Sequence, residues 1–272
     1  MYKIIFYFLF VFVLNSMSYA EKIGGTFRLA TSTSTENSGL LKEILPIFEK
    51  KYGYRIHVIA VGTGKALRMG EDGDVDVLLV HAPKSEMKFM SKNYGVDRTA
   101  VMHNDFVLVG PKSDPAKVKQ AKTLTAALRA IATVNMSVKH LFISRGDDSG
   151  THKKELSLWE LANLRTDSTW YREAGQGMGK VLQIAGELNA YTLVDRGTWL
   201  TYQGISPLNI VFEGDKILFN PYHIIAVNPE RHSHINAKGA KLFINWMVSN
   251  AGQKMIADFK LNDQPLFIPD AK

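Results

Sequence analysis

The chain has 272 residues, of which 46% are hydrophobic and 22% are charged, so a disordered chain is excluded and one large or two small domains are expected. It contains no cysteine, which excludes disulfide bonds, cysteine zinc sites, thiol catalysis and a lipoprotein-type amino terminus. The 33 basic and 26 acidic residues give a net charge of +7, but both signs are mixed along the chain, so no nucleic-acid partner is expected and an anionic ligand is favoured.

The first part of the chain has the pattern of a secretory signal. Lys3 precedes the apolar run 4–14, and the small residues Ser18 and Ala20 stand before a predicted cleavage site. The apolar run is too short to span a bilayer comfortably. We therefore expect residues 1–20 to be a cleaved signal peptide and the mature protein to be soluble and periplasmic.

Short apolar runs then alternate with helical periods, as is typical of an α/β fold. No internal repeat or flexible linker interrupts them, which predicts two α/β lobes in one compact chain, each a mostly parallel sheet flanked by helices. In chain order the pattern predicts strand 27–30, helix 41–52, strand 57–61, helix 65–70, strand 75–80, a helix after Pro83, strand 106–109, helix 124–131, strand 141–143, helices 152–164 and 179–188, strand 191–194, helix 195–202, strands 210–212 and 224–227, and helices 237–248 and 252–259.

Polar turns rich in hydroxyl groups and glycine follow three of these strands, at residues 31–38, 62–64 and 144–151. Each turn opens a predicted helix, whose first backbone N–H groups have no acceptor within the helix and therefore favour an anion. Ligands of open α/β sheets bind outside the carboxyl ends of the strands. These turns together predict an anion-binding site.

The third turn carries a permanent positive charge, Arg145, whose planar guanidinium can donate to two oxygens of one anion. A salt bridge to a neighbouring acid is the structural alternative, and the two roles are compatible. Asp147 is expected to hold the guanidinium in place, and Asp148 to cap the helix that follows.

The motif in this turn leads to a family. Residues 145–152, Arg-Gly-Asp-Asp-Ser-Gly-Thr-His, resemble the Arg-x-Asp-x-Ser-Gly-Thr motif of periplasmic phosphate-binding proteins. Combined with residues 31–34, 61–66, 76–83 and 191–198, the motif is similar to the tungstate-binding components of ABC importers, over about residues 26–268.

The resemblance implies a type II periplasmic binding protein fold, in which two lobes are joined by two crossover strands and enclose an oxyanion between them. The crossovers are expected near residues 104–107 and 220–224. Lobe 1 then comprises residues 21–105 plus 223–272, and lobe 2 comprises residues 106–222.

The resemblance also implies the ligand contacts. Lobe 2 is expected to contribute Arg145, Ser149, Gly150 and Thr151, and lobe 1 is expected to contribute Thr33, Ser34, Thr63 and Gly64. The implied function is capture of tungstate as an oxyanion by a monomer that delivers it to an ABC permease and its ATPase. No cofactor, no metal-cation ligand and no catalytic residue is expected.

One departure from the phosphate-binding pattern bears on the choice of ligand. Phosphate-binding proteins place an Asp near the end of the strand that corresponds to 75–80, where it accepts the proton of hydrogen phosphate, whereas this chain has His81 there. A site without such an acceptor favours a fully deprotonated dianion and disfavours phosphate. Molybdate, sulfate and the disfavoured phosphate remain the alternatives to tungstate.

Three further patterns have a second interpretation. Ser149 and His152, three residues apart, could serve as nucleophile and base of a periplasmic hydrolase, but the sequence offers no evident orienting acid. The glycines at 175, 177 and 179 do not match a dinucleotide-binding pattern and predict a flexible loop. His232 and His234 could hold a metal, but their neighbours predict an exposed turn.

Overall fold

The computed structural model describes residues 24–134 and 141–271. The predicted signal peptide, residues 1–20, lies outside the described residues. None of the helices within the described ranges combines the length and hydropathy that a membrane-spanning helix needs.

Ten helices and twelve strands are assigned in the described residues. The helices are α1 (Thr33–Asn37), α2 (Leu40–Tyr52), α3 (Thr63–Asp72), α4 (Pro83–Ser91), α5 (Leu124–Thr133), α6 (Gly150–Leu161), α7 (Met178–Glu187), α8 (Arg196–Tyr202), α9 (Ala237–Met247) and α10 (Asn250–Asp258). The strands are β1 (Gly25–Ser32), β2 (Tyr54–Val61), β3 (Val77–Val80), β4 (Gly95–Pro111), β5 (Phe142–Ser144), β6 (Tyr171–Glu173), β7 (Thr192–Asp195), β8 (Leu208–Phe212), β9 (Phe219–Val227), β10 (Lys260–Leu261), β11 (Gln264–Pro265) and β12 (Ile268–Pro269).

The first sheet has the order β12-β4-β9-β3-β1-β2. Strand β1 pairs in parallel with β2 and β3, and the helices α2 and α3 provide the crossovers between these strands. All four residues of β3 are buried, as expected for a parallel strand covered on both faces. Strand β9 pairs antiparallel with β3 and with β4, and β12 pairs antiparallel with β4, so the sheet is mixed.

Strand β4 is 17 residues long and continues from the first sheet into a second group of strands. Its first part pairs with β9, and its second part, from Phe106 onwards, pairs antiparallel with β7 and β8. Strand β5 lies beside β6 in parallel. The sequence predicts only 106–109 of β4, because its first part groups polar residues at 97–99 and 103–105 and has neither a regular alternation nor a long apolar run.

The hydrophobic core is divided in the same way. Two clusters, which include Phe27, Phe48 and Phe243, draw their buried residues from 27–102 and 222–267, with the addition of Leu200. Two other clusters draw theirs from residues 106–218. The lobe boundaries at 105/106 and 222/223 remain a prediction.

Candidate functional site

A cleft with a volume of about 870 Å³, referred to as the main cavity, lies at the polar turns. Four of the predicted ligand residues line it, namely Thr33, Ser34, Arg145 and Ser149. The other four lie in the first turns of the same group of helices, since Thr63 and Gly64 begin α3 and Gly150 and Thr151 begin α6. The three polar turns therefore meet at one place in the fold.

Ser32 organises the first turn. It is the N-cap of α1, and its Oγ accepts a hydrogen bond from the Thr35 backbone N–H at 3.2 Å. The amides of Thr33 and Ser34 occupy the first two positions of this helix, where no acceptor within the helix is available. Gly39, in the left-handed conformation, precedes α2, and Ser38 Oγ accepts from the Leu40 N–H at 3.3 Å.

The second turn contains an unsatisfied hydroxyl group. Thr63 has no exposed surface, and its Oγ1 is buried without a hydrogen-bond partner among the described residues. Gly62 is the N-cap of α3 and supplies no capping side chain. An unpaired buried hydroxyl costs about 1–3 kcal/mol, which a ligand oxygen within reach of Thr63 would recover.

Ser149 caps the third helix. Its Oγ accepts from the His152 N–H at 3.2 Å, and its backbone is extended, as an N-cap requires. The prediction that Asp148 caps α6 is wrong. Asp148 has a φ of 58°, so it turns the chain into the helix from the preceding position and cannot adopt the extended cap geometry.

Arg145 and Asp147 form an ion pair at the edge of the main cavity. Arg145 Nε and Nη2 donate to Asp147 Oδ2 at 3.1 and 2.5 Å, and Asp147 Oδ1 accepts from the Ser149 N–H at 3.2 Å. The predicted role of Asp147 in holding the guanidinium is confirmed. Burial alone would raise the pKa of the Asp147 carboxyl, but the hydrogen bonds from Ser149 and Arg145 outweigh this effect and hold the pKa below its ordinary value.

The turns from the two predicted lobes approach each other closely. A Cβ atom added to Gly150 would lie 3.0 Å from His81 Cε1 and 3.3 Å from Thr63 Oγ1. A Cβ atom added to Gly64 would lie 3.2 Å from Asp148 Oδ2. At Gly150 a side chain would press against the buried His81 ring, whereas at Gly64 it would meet the exposed and movable carboxylate of Asp148.

His81 is buried behind the first turn. Its Nδ1 lies 2.8 Å from Asn220 Oδ1, and its Nε2 lies 3.0 Å from Ser32 Oγ. The Asn220 amide nitrogen donates to Asn104 Oδ1 and Tyr222 Oη, so Asn220 Oδ1 must accept and His81 Nδ1 must carry the proton. Burial lowers the pKa of His81, against the opposing effect of the Asn220 hydrogen bond, so the ring is neutral and its Nε2 accepts from Ser32.

Two further helix starts, to which the sequence analysis assigned no ligand contact, also line the main cavity. Gly177, Gly179 and Lys180, at the start of α7, lie on its wall. The predicted flexible loop is wrong for Gly177 and Gly179, because Gly177 is the N-cap of α7 and Gly179 lies within the helix. Like Gly62, Gly177 supplies no capping side chain. A glycine directly before a helical period, where a Ser or Asp is usual, is the signal that could have identified this wall.

Helix α8 contributes Gly197 and Thr198 to the same wall. Its N-cap Asp195 accepts from both the Thr198 backbone and hydroxyl groups. The neighbouring Arg196 forms ion pairs with Asp105 and Glu213, so its charge is already compensated.

The remaining histidine patterns have structural partners. His232 Nε2 donates to the Glu71 carbonyl and His234 Nε2 donates to the Gly73 carbonyl, both at 2.9 Å. His152 Nδ1 accepts from the Asp148 N–H at 3.1 Å. Ser149 Oγ is engaged as a helix cap rather than with the His152 ring in the described structure.

Comparison with known proteins agrees with this geometry. A family model described as the PBP superfamily domain matches residues 20–251. The tungstate-binding protein TupA of Peptoclostridium acidaminophilum is 47% identical over 251 residues, which cover 91% of this chain and 86% of that protein.

Solved structures extend the comparison to the fold. The tungstate-binding protein TupA from Desulfovibrio alaskensis G20 superposes with a TM-score of 0.82 at 48% identity, covering 91% of this chain and all of that one (100%). A structure described as the tungstate ABC transporter from Geobacter sulfurreducens has a TM-score of 0.77 at 51% identity, covering 86% of this chain and 98% of that one. The predicted α/β binding-protein fold is confirmed, and the chain belongs to the PBP superfamily and, within it, to the family of the tungstate-binding TupA proteins.

Proposed function

We propose that this chain captures tungstate in the main cavity and delivers it to an ABC permease powered by an ATPase. Kinship with tungstate-binding proteins supports the choice of ligand and of transport partner. The observation that carries the proposal is the convergence of the polar turns before α1, α3 and α6 on one cavity that also holds Arg145. Export to the periplasm through the signal at residues 1–20 completes this proposal.

The chemistry of the cavity favours a dianion that carries no proton. Helix-start amides, hydroxyl groups and the guanidinium all donate hydrogen bonds, and tungstate accepts on every oxygen. Asp147 is the carboxylate on the described wall, but both of its oxygens already accept N–H groups and its pKa is lowered, so it is a poor acceptor for a ligand proton. The His81 acceptor nitrogen is taken by Ser32.

These features disfavour hydrogen phosphate, because its proton would have no good acceptor. Molybdate and sulfate satisfy the same donors. Kinship with the TupA proteins therefore selects tungstate among the dianions.

Binding without catalysis also accounts for Ser149. A nucleophilic serine needs its hydroxyl hydrogen-bonded to a base, whereas Ser149 Oγ caps α6. The relatives are named as binding proteins, and the chain is a binding protein rather than a hydrolase.

Calorimetric titration of residues 21–272 with tungstate, molybdate, sulfate and phosphate tests the proposal. We expect saturable binding of tungstate, with phosphate the weakest of the four ions. Absence of tungstate binding, or phosphate bound as tightly as tungstate, would contradict it. Incubation with ester substrates is the control for the hydrolase alternative. Turnover by the wild type that is lost in Ser149→Ala would contradict the transport proposal and support a hydrolase.

A further inference from the structure

A second cavity, of about 340 Å³, lies on the other side of the turn that precedes α6. Ser149 lines the main cavity, whereas the next residue, Gly150, lines the second one. Its wall comes from the start of α4, from one face of α6 and from residues 216–221. We call it the lysine pocket, after Lys84, Lys153, Lys154 and Lys216, which line it.

The positive charge of this pocket is not balanced by its own wall. None of its described lining residues is Asp or Glu. Lys153 forms an ion pair with Asp148. Lys154 is half-buried, and its ammonium donates to the Phe219 carbonyl at 3.2 Å. Burial lowers the pKa of Lys154, which reflects the cost of holding a charge away from water without a counter-ion.

The same pocket has an apolar side. Phe106 lies at its base, while Ile217 and Phe219 line it with 39% and 45% of their surfaces exposed. Large apolar side chains exposed beside a cluster of ammonium groups fit a ligand that has both an apolar body and anionic groups. The volume is at the lower end of the range for small-molecule sites, about 300–1,000 Å³.

The two cavities differ in the anion that they suit. The main cavity presents a planar guanidinium and helix-start amides, which surround a compact oxyanion with directed donors. The lysine pocket presents ammonium groups on flexible stems, which act as point charges and adjust to carboxylate or phosphate groups at different spacings. A bare inorganic oxyanion would gain nothing from the apolar side chains there.

We propose that the lysine pocket is a second ligand site, which binds a small organic dianion with carboxylate or phosphate groups on an apolar body. The site is separate from the main cavity and does not depend on the identity of the oxyanion bound there.

Calorimetric titration with phthalate, phenyl phosphate and sulfate tests this proposal. Phthalate carries two carboxylates on a ring, phenyl phosphate carries one phosphate on a ring, and sulfate is a dianion without an apolar body. Because sulfate also suits the main cavity, the three ions are compared in Arg145→Ala as well as in the wild type. We expect at least one of the two aromatic ions to bind both proteins, and to bind Arg145→Ala more tightly than sulfate does. The tighter of the two identifies whether carboxylate or phosphate is preferred.

Variants locate the binding. Lys154→Met keeps the length of the side chain and removes its charge, and we expect about tenfold weaker binding of the aromatic ion. The double variant Lys84→Gln, Lys216→Gln changes only exposed positions, so it tests the pocket even if Lys154→Met destabilises the fold. Lys238→Gln, on the exposed surface of α9, and Arg145→Ala, in the main cavity, are the controls and should leave this binding unchanged.

Three results would overturn the proposal. The first is that neither aromatic ion binds at millimolar concentration. The second is that binding of the aromatic ion is lost in Arg145→Ala and retained in the lysine variants, which would place this binding in the main cavity. The third is sulfate binding in the pocket as tightly as either aromatic ion, which removes the role of the apolar side chains.

Discussion

The two sides of the main cavity differ in charge. The side formed by α1 and α3 offers neutral donors at Thr33 and Ser34, and the unpaired hydroxyl of Thr63 is buried next to Gly62 of the same wall. The side formed by the turn before α6 offers Arg145, held by Asp147. Affinity for a dianion should therefore depend mostly on the charged side, while the neutral side, oriented by His81, should select against protonated ligands.

A buried carboxyl lies beneath the charged side of the cavity. Helix α6 carries Glu155, which is only 2% exposed and accepts hydrogen bonds from Tyr171 Oη at 2.7 Å and Trp159 Nε1 at 3.1 Å. Burial raises the pKa of Glu155 to about 7, against the opposing effect of these hydrogen bonds. The charged side of the cavity thus precedes a helix that carries a buried carboxyl with a pKa near neutrality.

Removal of the charge on one side is expected to have the largest effect. Arg145→Ala should weaken tungstate binding by about 2–5 kcal/mol, because it also leaves Asp147 unpaired at the cavity wall. Arg145→Lys should recover only part of this loss, since an ammonium cannot reproduce the two directed donors. Calorimetry with tungstate measures both changes.

Arg165→Ala is the matched control for this experiment. Arg165 pairs with Asp167 at the same sequence spacing, but its side chain is 86% exposed and lies outside the described wall of the main cavity. The Arg165→Ala variant should bind tungstate with the affinity of the wild type. Wild-type affinity in Arg145→Ala would show that the two sides of the cavity do not differ in the way described.

The buried Glu155 beneath the charged side predicts a pH-dependent stability that originates in α6. Because the pKa of Glu155 is higher in the folded protein than the ordinary value of 4.5, this group stabilises the fold fully below pH 4.5 and loses that contribution as the pH rises through about 7. The difference amounts to roughly 3 kcal/mol. Glu155→Gln keeps the acceptor oxygen and removes the titration.

Urea unfolding of wild type and Glu155→Gln at several pH values between 4 and 8, about the range in which this carboxyl titrates, measures the effect. The free energy of unfolding of the wild type should fall relative to that of the variant as the pH rises. Parallel pH profiles of the two proteins would be inconsistent with a titrating Glu155.

The neutral side is tested by a pair of buried threonines. Thr63→Val removes a hydroxyl that has no partner among the described residues, so the free protein should not lose stability, while tungstate binding should weaken by about 1.5–3 kcal/mol. Thr31→Val removes an equally buried hydroxyl, which donates to the Leu79 carbonyl at 2.8 Å. That variant should lose stability and keep its affinity.

Thermal unfolding and calorimetry on both variants separate these outcomes. If Thr63→Val destabilised the free protein and left the affinity for tungstate unchanged, its hydroxyl would be a structural group and not a ligand contact.

Selection against a protonated ligand is the smallest expected effect. At neutral pH, hydrogen phosphate should bind at least about tenfold more weakly than tungstate, since one unsatisfied buried proton costs about 1–3 kcal/mol. Sulfate, which carries no proton, is the control and should not suffer this penalty. Equal affinity for sulfate and phosphate would mean that the neutral side contains an acceptor after all.

Local patterns carried much of the correct prediction. The strands of the parallel group and the helices that follow them were recognised because buried faces repeat with the period of each element over a few residues. The Arg145–Asp147 pair was also predicted from a local pattern, because opposite charges two positions apart in a turn lie within reach of each other. The capping error at Asp148 shows the limit, because its left-handed backbone is imposed by the path of the whole turn.

By itself, then, the sequence determined the α/β class and the turns that converge on the cavity, because periodicity and helix starts are properties of neighbouring residues. The tertiary structure decided the rest. It extended β4 through both groups of strands and placed the start of α7 on the cavity wall. It paired His81 with Asn220, 139 positions away, which determines the neutral tautomer behind the first turn. Burial and long-range hydrogen bonds set the protonation of such groups, and both arise only when distant segments pack together.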